Sequence, residues 1–343
     1  MNIIHCFKIL TKDGEKEKLN DLTLLTQFLS AIKVKALNPN SKLVFYTDEY
    51  TLEQYKPFGL LDIYDEVNTE VFSNYPEEQI NEKTWWATPK LWVMKHQTEP
   101  FILMDIDMVL HRPVEGAFDR NQDVLFLHTE VSTHYAHPLW IKSHDDWDWS
   151  NNMLLSFNNS LPFNCAVVGF SNMDLLKEYL DIYFEFILDN DGGVELINEE
   201  NVNTTFGHIH TEASQITLEQ WLLAALVFWK NHGQDESEMA FSRDDGTVVA
   251  HSLTDALSAP LEFSHQIFNV PKEEIYQQLS DALFHLWGAK SFYDRGLYSE
   301  YEAMKDSIIQ GISIMIDQTG QQQHYDILEK LDEYCREIPS DGN

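Results

Sequence analysis

Residues 101–107 read Phe-Ile-Leu-Met-Asp-Ile-Asp, and the fold of the chain is decided there. Phe101 to Met104 form a short apolar run suited to a buried strand, and two carboxylates, Asp105 and Asp107, follow at once. Residues at i and i+2 of a strand point to the same side, so the pair converges on one point outside the sheet's carboxyl edge, where open α/β sheets bind ligands. Two carboxylates that close repel each other and resist desolvation unless a cation relieves them, and a hard divalent ion is the natural partner. The plainer reading gives Asp107 to a turn and Asp105 to a cap.

Outward from this stretch the chain reads as alternating strands and helices. Ile3 to Phe7 is a first strand, a polar loop runs from Thr11 to Lys18, and Leu22, Leu25, Phe28, Leu29, Ile32 and Ala36 recur at helical spacing up to Asn38-Pro39-Asn40. Lys42 to Thr47 is the second strand, closing on Asp48, which completes a βαβ opening. A third strand is expected over Asp62 to Val67, a loop over Phe72 to Thr84, and a helix over Trp85 to His96 with Pro89 in its first turns. Beyond the Asp-x-Asp stretch a strand is expected over Asp123 to His128.

A His-, Trp- and Asp-rich segment without period, 128–152, reads as a long loop or lid. Phe163 to Phe170 is another buried strand. It feeds an amphipathic helix marked by Leu175, Leu176, Tyr179, Leu180, Tyr183, Phe184, Ile187 and Leu188. Ile216 to Trp229 is a buried helix, Thr247 to Ala250 is strand-like, and from Pro271 the pattern is helical to the end. The division expected is an α/β core over 1–258 with a mixed sheet, and a helical C-terminal extension over 259–343 that folds back on it.

Composition bounds the function. Hydrophobic residues make up 43% of the 343 and charged ones 23%, an ordinary globular balance, but 56 Asp and Glu against 23 Lys and Arg leave a net charge of -33. Such an excess repels nucleic acid and anionic lipid. The three cysteines, Cys6, Cys165 and Cys335, are far apart and read as reduced thiols of a cytoplasmic protein. No run approaches the ~20 apolar residues of a membrane span, and the first residues read as a strand, without a leader's basic start and long apolar stretch.

Four elements in order resemble the GT-A nucleotide-sugar glycosyltransferases, most closely the glycogenin-like family 8 enzymes. They are Pro89-Lys90-Leu91-Trp92 before the Asp105-x-Asp107 strand; Phe163-Asn164-Cys165-Ala166-Val167, similar to F-N-S-G-V; Glu219-Gln220, similar to a D-Q pair; and His285-Leu286-Trp287-Gly288-Ala289-Lys290, similar to H-x-x-G-x-x-K-P-W. The likeness spans residues 1–290. Ala166 stands for a glycine, and the last motif is one residue short and lacks Pro-Trp.

The resemblance implies a GT-A, Rossmann-like fold and transfer of a sugar from a nucleoside diphosphate sugar, most simply a UDP-sugar, to a glycan or other hydroxyl acceptor. It implies manganese or magnesium on Asp105, Asp107 and His285. An imidazole suits manganese better than magnesium, and such an ion neutralises the leaving diphosphate. Lys90, Lys290 and Gly288 are then expected at the diphosphate; His5, Thr47 and Asp48 at the nucleotide, with Asp48 equally suited to a turn cap. Asn164, Glu219, Gln220 and Asp107 are expected around the reacting sugar, with Glu212 a second carboxylate nearby. Family 8 members retain anomeric configuration; Glu212 or Glu219 acting as a base would invert it.

Three further readings start from the same residues. His134, His137, His144 and Asp145 fit no closed zinc spacing, while Trp147 and Trp149 would suit sugar stacking. An apolar strand ending in Asp-x-Asp is also how haloacid-dehalogenase-like magnesium phosphatases place their nucleophile, with Asp244-Asp245 as a later acidic pair, although there the motif occupies the domain's first strand. A GT-A domain that only binds sugar or a partner protein would keep the same residues without turnover.

Overall fold

The computed structural model of the protein describes residues 1–12, 14–17, 19–82, 85–116, 122–129, 161–189, 217–232, 248–252, 261–263, 283–285 and 298–337. In chain order the elements are β1 (Asn2–Cys6), β2 (Thr11–Lys12), β3 (Glu15–Lys16), α1 (Asp21–Leu37), β4 (Lys42–Tyr46), α2 (Glu49–Tyr55), β5 (Glu66–Asn68), α3 (Thr88–Lys95), β6 (Phe101–Met104), β7 (Met108–Val109) and β8 (Val124–Phe126). They continue with β9 (Val167–Phe170), α4 (Met173–Asp189), α5 (Leu222–His232), β10 (Ala250–Ser252), β11 (Leu261–Phe263), β12 (Leu283–His285), α6 (Tyr298–Thr319) and α7 (Tyr325–Glu337).

Seven of these strands form one mixed sheet in the order β10-β8-β9-β6-β1-β4-β5. β1 runs parallel to β4 and to β6, and β4 parallel to β5; β9 is antiparallel to both β6 and β8. The α/β expectation therefore holds, with β6 near the middle of the sheet. Alternation along the strands divides the core into two layers. Ile3, Ile102 and Met104 face α1, α6 and α7 through Leu25, Phe28, Met304, Ile312 and Leu331. Ile4, Phe101 and Leu103 face α3, α4 and α5 through Leu91, Tyr179, Tyr183, Leu222 and Leu226. Helices cover both faces, as a sheet with parallel strands requires.

Local chemistry explains the helix ends. Asn20 caps α1 by accepting from Leu22 N, and Asp48 caps α2 by accepting from Thr51 N, so the plainer of the two readings of Asp48 is realised.

Several expectations are corrected. The polar loop after β1 contains the β2–β3 hairpin, and 60–63 is a 3-10 turn, so the third strand shrinks to Glu66–Asn68. The segment from Pro271 is not helical throughout. Leu283–His285 is a strand, parallel to Leu261–Phe263 and antiparallel to β7, in a second sheet of order β11-β12-β7. Helical spacing and a three-residue apolar strand are indistinguishable over so short a run. The two final helices do fold back: Tyr301, Met304, Ile308, Leu328 and Leu331 share the core of α1. The long loop at 130–152, with its His, Asp and Trp residues, and Asp244-Asp245 lie outside the described residues.

Candidate active site

Asp105 and Asp107 do not sit on a strand. β6 ends at Met104, and Met108 N donates to the Asp105 carbonyl at 3.0 Å, so the motif forms a tight turn between β6 and β7. Asp105 N in turn donates to Ala166 O at 2.7 Å, anchoring the turn to the chain entering β9. The two carboxylates stay close to each other through the turn and not through the strand pleat. Both are part-exposed, the Asp105 side chain at 28%.

Lys90, in the first turns of α3, reaches this turn from beneath. Its ammonium lies 2.9 Å from Asp105 Oδ1, 2.6 Å from Glu219 Oε1 and 3.1 Å from the Cys165 carbonyl. It donates hydrogen bonds to Asp105 and the Cys165 carbonyl, whereas the contact with Glu219 is a close ion pair whose geometry is too poor for a hydrogen bond. Burial works against its charge, but Asp105 and then Glu219 outweigh burial and push its pKa up. Lys90 therefore lies 7% exposed and fully engaged by protein. The ammonium expected at a diphosphate braces the acidic turn from within.

Glu219 stands on a π-helical turn, Thr217–Trp221, that opens α5. Single π turns of this kind recur at functional sites. Its backbone carbonyl accepts from Tyr179 Oη at 2.6 Å, and the next carbonyl, of Gln220, accepts from Phe163 N at 3.2 Å. The residue is 1% exposed. Gln220 is half-buried, and its side-chain oxygen is buried without a hydrogen-bond partner. Asn164 belongs to the same patch: its Oδ1 accepts from Ala166 N at 3.0 Å, and its backbone exchanges bonds of 2.9 Å with His128 O and Leu127 N, extending the pairing beside β8.

The electrostatics are lopsided. Burial first, then the charges of Asp107 and Glu219, lift the Asp105 carboxyl above the usual carboxylate range to about 7, against the pull of Lys90. Two carboxylates, Asp105 and Glu219, thus meet one ammonium, and the charge of Asp107 lies beside Asp105. That is the condition under which a hard cation binds. Among the described residues no three His, Cys, Asp or Glu side chains form a ready metal cluster. Asp105 and Asp107 fit an ion that takes its remaining ligands from water and substrate oxygens. The backbone of His285 pairs opposite Met108, one residue from Asp107.

The remaining expected residues divide. Thr47 follows β4 with a fully buried hydroxyl that has no hydrogen-bond partner. His5 is corrected outright. It is 0% exposed, on the α1 face of the sheet, with Nδ1 3.0 Å from Tyr64 Oη and Nε2 3.3 Å from Ser30 Oγ, so it cannot meet a nucleotide. Glu212, Gly288 and Lys290 lie outside the described residues.

A model of one protein family matches residues 19–286, well over half of the chain. The chain belongs to DUF6734, a family of unknown function. No curated protein matches the sequence. Among solved structures the chain is similar to the galactosyltransferase LgtC in complex with donor and acceptor sugar analogues, at 11% identity over 84% of this chain and 87% of that one, with a TM-score of 0.38. It is similar to mouse xyloside xylosyltransferase 1, at 12% identity over 75% and 99%, with a TM-score of 0.36. It is also similar to the mannosyltransferase Ktr4p from S. cerevisiae, at 12% identity over 56% and 61%, with a TM-score of 0.34.

Two features escape a reading of the sequence. One is the Lys90–Glu219 pair: each residue stands out by its motif, but nothing in either motif says that they meet. The other is a second buried pair past the end of β1, where Lys8 Nζ lies 2.6 Å from Glu82 Oε1 with both side chains 1% exposed. Glu82 also accepts from Thr11 N at 2.8 Å, and Lys16 lies 2.6 Å from Glu77 and 3.9 Å from Asp48. These bonds tie the β2–β3 hairpin to residues 77–82 around a cleft of about 760 Å³. Lys8 follows an apolar run and gives no signal of burial.

Proposed function

We propose that this protein is a metal-dependent glycosyltransferase that moves a sugar from a nucleoside diphosphate sugar, in the first instance a UDP-sugar, to a glycan or other hydroxyl acceptor. The observation that carries the reading is the acidic turn Asp105-Ile106-Asp107 at the carboxyl end of a central strand, with both carboxylates part-exposed and the Asp105 carboxyl raised by burial and then by the charge of Asp107. The ordered resemblance of four motifs to family 8 enzymes supports the same class.

Asp105 and Asp107 are the residues that would hold manganese or magnesium, with His285, whose strand pairs beside the turn, as a third ligand. A bound ion would supply Lewis-acid neutralisation of the charge growing on the leaving diphosphate. Lys90 holds Asp105 in place. Lys290 and Gly288 are assigned to the diphosphate. Gln220, whose side-chain oxygen is buried without a hydrogen-bond partner, is assigned to the sugar, together with Asn164 of the same patch. Glu219 is engaged by Lys90 and is not available as a base. That favours retention of configuration, with Glu212 the carboxylate that would serve an inverting reaction.

The test is release of UDP from a panel of UDP-sugars with manganese present. Turnover that falls roughly hundredfold or more in Asp105→Ala/Asp107→Ala supports the reading. Hydrolysis of small phosphomonoesters with magnesium, and no release of UDP, would instead support the phosphatase. The order of strands already weighs against that alternative, because β1 and β4 precede the acidic strand in the same sheet. Binding without turnover would mark a sugar- or partner-binding domain.

A further inference from the structure

Glu219 is too deeply buried to be a reacting group, yet its carboxylate lies 2.6 Å from the ammonium of Lys90, which also touches Asp105. Fields add, so the negative charge of Glu219 offsets at Asp105 part of the positive field of Lys90, and the two act on Asp105 in opposite directions. Bonds from Tyr179 Oη and Phe163 N to the carbonyls of Glu219 and Gln220 hold the backbone of the π turn in place, and the Glu219 side chain is 1% exposed beside Lys90.

From this we infer that Glu219 is a positioning residue that sets the divalent-cation affinity of Asp105 and Asp107 by holding back the charge of Lys90. This rests on the reading that the two aspartates bind a metal ion. Neutralising Glu219 leaves Lys90 to Asp105 alone, makes the surroundings of the ion one unit more positive, and weakens ion binding. Second-sphere changes at metal sites cost on the order of 10- to 100-fold in affinity, and a loss in that range is expected here.

Titration of the full chain with manganese chloride alone, following free ion by electron paramagnetic resonance, tests the inference without reference to turnover. Glu219→Gln is nearly isosteric and is expected to bind manganese at least tenfold more weakly than the natural chain. Glu219→Asp keeps the charge and is expected to recover most of that loss, which a role in packing would not produce. Lys90→Met/Glu219→Gln removes one charge of each sign; it is expected to bind at least as tightly as the natural chain, and it answers the question if the single variant does not fold. Equal affinity in the natural chain and Glu219→Gln, or a tenfold loss in the double variant, overturns the inference and leaves the proposed function standing. No manganese binding by the natural chain overturns both.

Discussion

The ammonium of Lys90 lies 2.6 Å from Oε1 of Glu219, and both side chains are almost wholly buried. Breaking a buried pair by removing one partner leaves an uncompensated charge and costs about 3–5 kcal/mol. Lys90→Met is expected to lose that much in urea unfolding, because it strands Glu219 and Asp105 together. Lys90→Met/Glu219→Gln is expected to recover most of it. A double variant as unstable as the sum of its singles would mean that the two side chains are not coupled.

Asp105 sets a pH dependence of the metal-free protein. Its carboxyl titrates higher folded than unfolded, so the folded chain is penalised as the group ionises, and stability falls as pH rises through about 7. Asp105→Asn is therefore expected to gain on the natural chain between pH 5 and pH 8, and manganese is expected to close the gap. A gap that does not change with pH would show that Asp105 ionises freely.

His5 works with the opposite sign. Burial lowers its pKa from 6.5 to about 3, so the unfolded chain takes up a proton near pH 6.5 and the folded chain does not. Its contribution is complete above that pH and is lost as pH falls toward 3. Between pH 7 and pH 5 the stability advantage of the natural chain over His5→Gln is expected to shrink by about 2 kcal/mol. Urea midpoints across that range decide it, and a constant difference contradicts it.

The C-terminal helices are fastened by charge as well as by apolar contact. Lys305 Nζ lies 3.1 Å from Asp21 Oδ2 and donates to the Cys335 carbonyl at 3.0 Å, while Tyr301 donates to the other Asp21 oxygen. Lys305→Met is expected to cost about 3 kcal/mol or more. Hydrogen exchange in α6 and α7 should accelerate first, ahead of β1 and β6. Uniform acceleration across the sheet would show that the helices and sheet open as one unit.

Much of this was legible in the sequence because it is local. The 3.6-residue spacing of Leu22 to Ala36 and of Leu175 to Leu188 marks two helices, and the apolar run before Asp105 marks the central strand. What was not legible depends on distant partners. His5 stands at a strand end and reads as a ligand-edge residue, yet the pleat turns it toward α1. Leu283 continues the helical spacing of Ile275 and Leu279, and only pairing with β11 and β7 makes Leu283 to His285 a strand. Lys90 reads as a free cation until the Glu219 carboxylate and the Cys165 carbonyl are found beside it.

The measurement that bears most directly on the central claim is calorimetric titration of UDP into the protein with and without manganese, repeated on Asp105→Ala/Asp107→Ala. Binding that requires manganese and is lost in the double variant is the predicted result. UDP binding that is indifferent both to manganese and to the two aspartates, or no binding of any nucleoside diphosphate, would contradict the account.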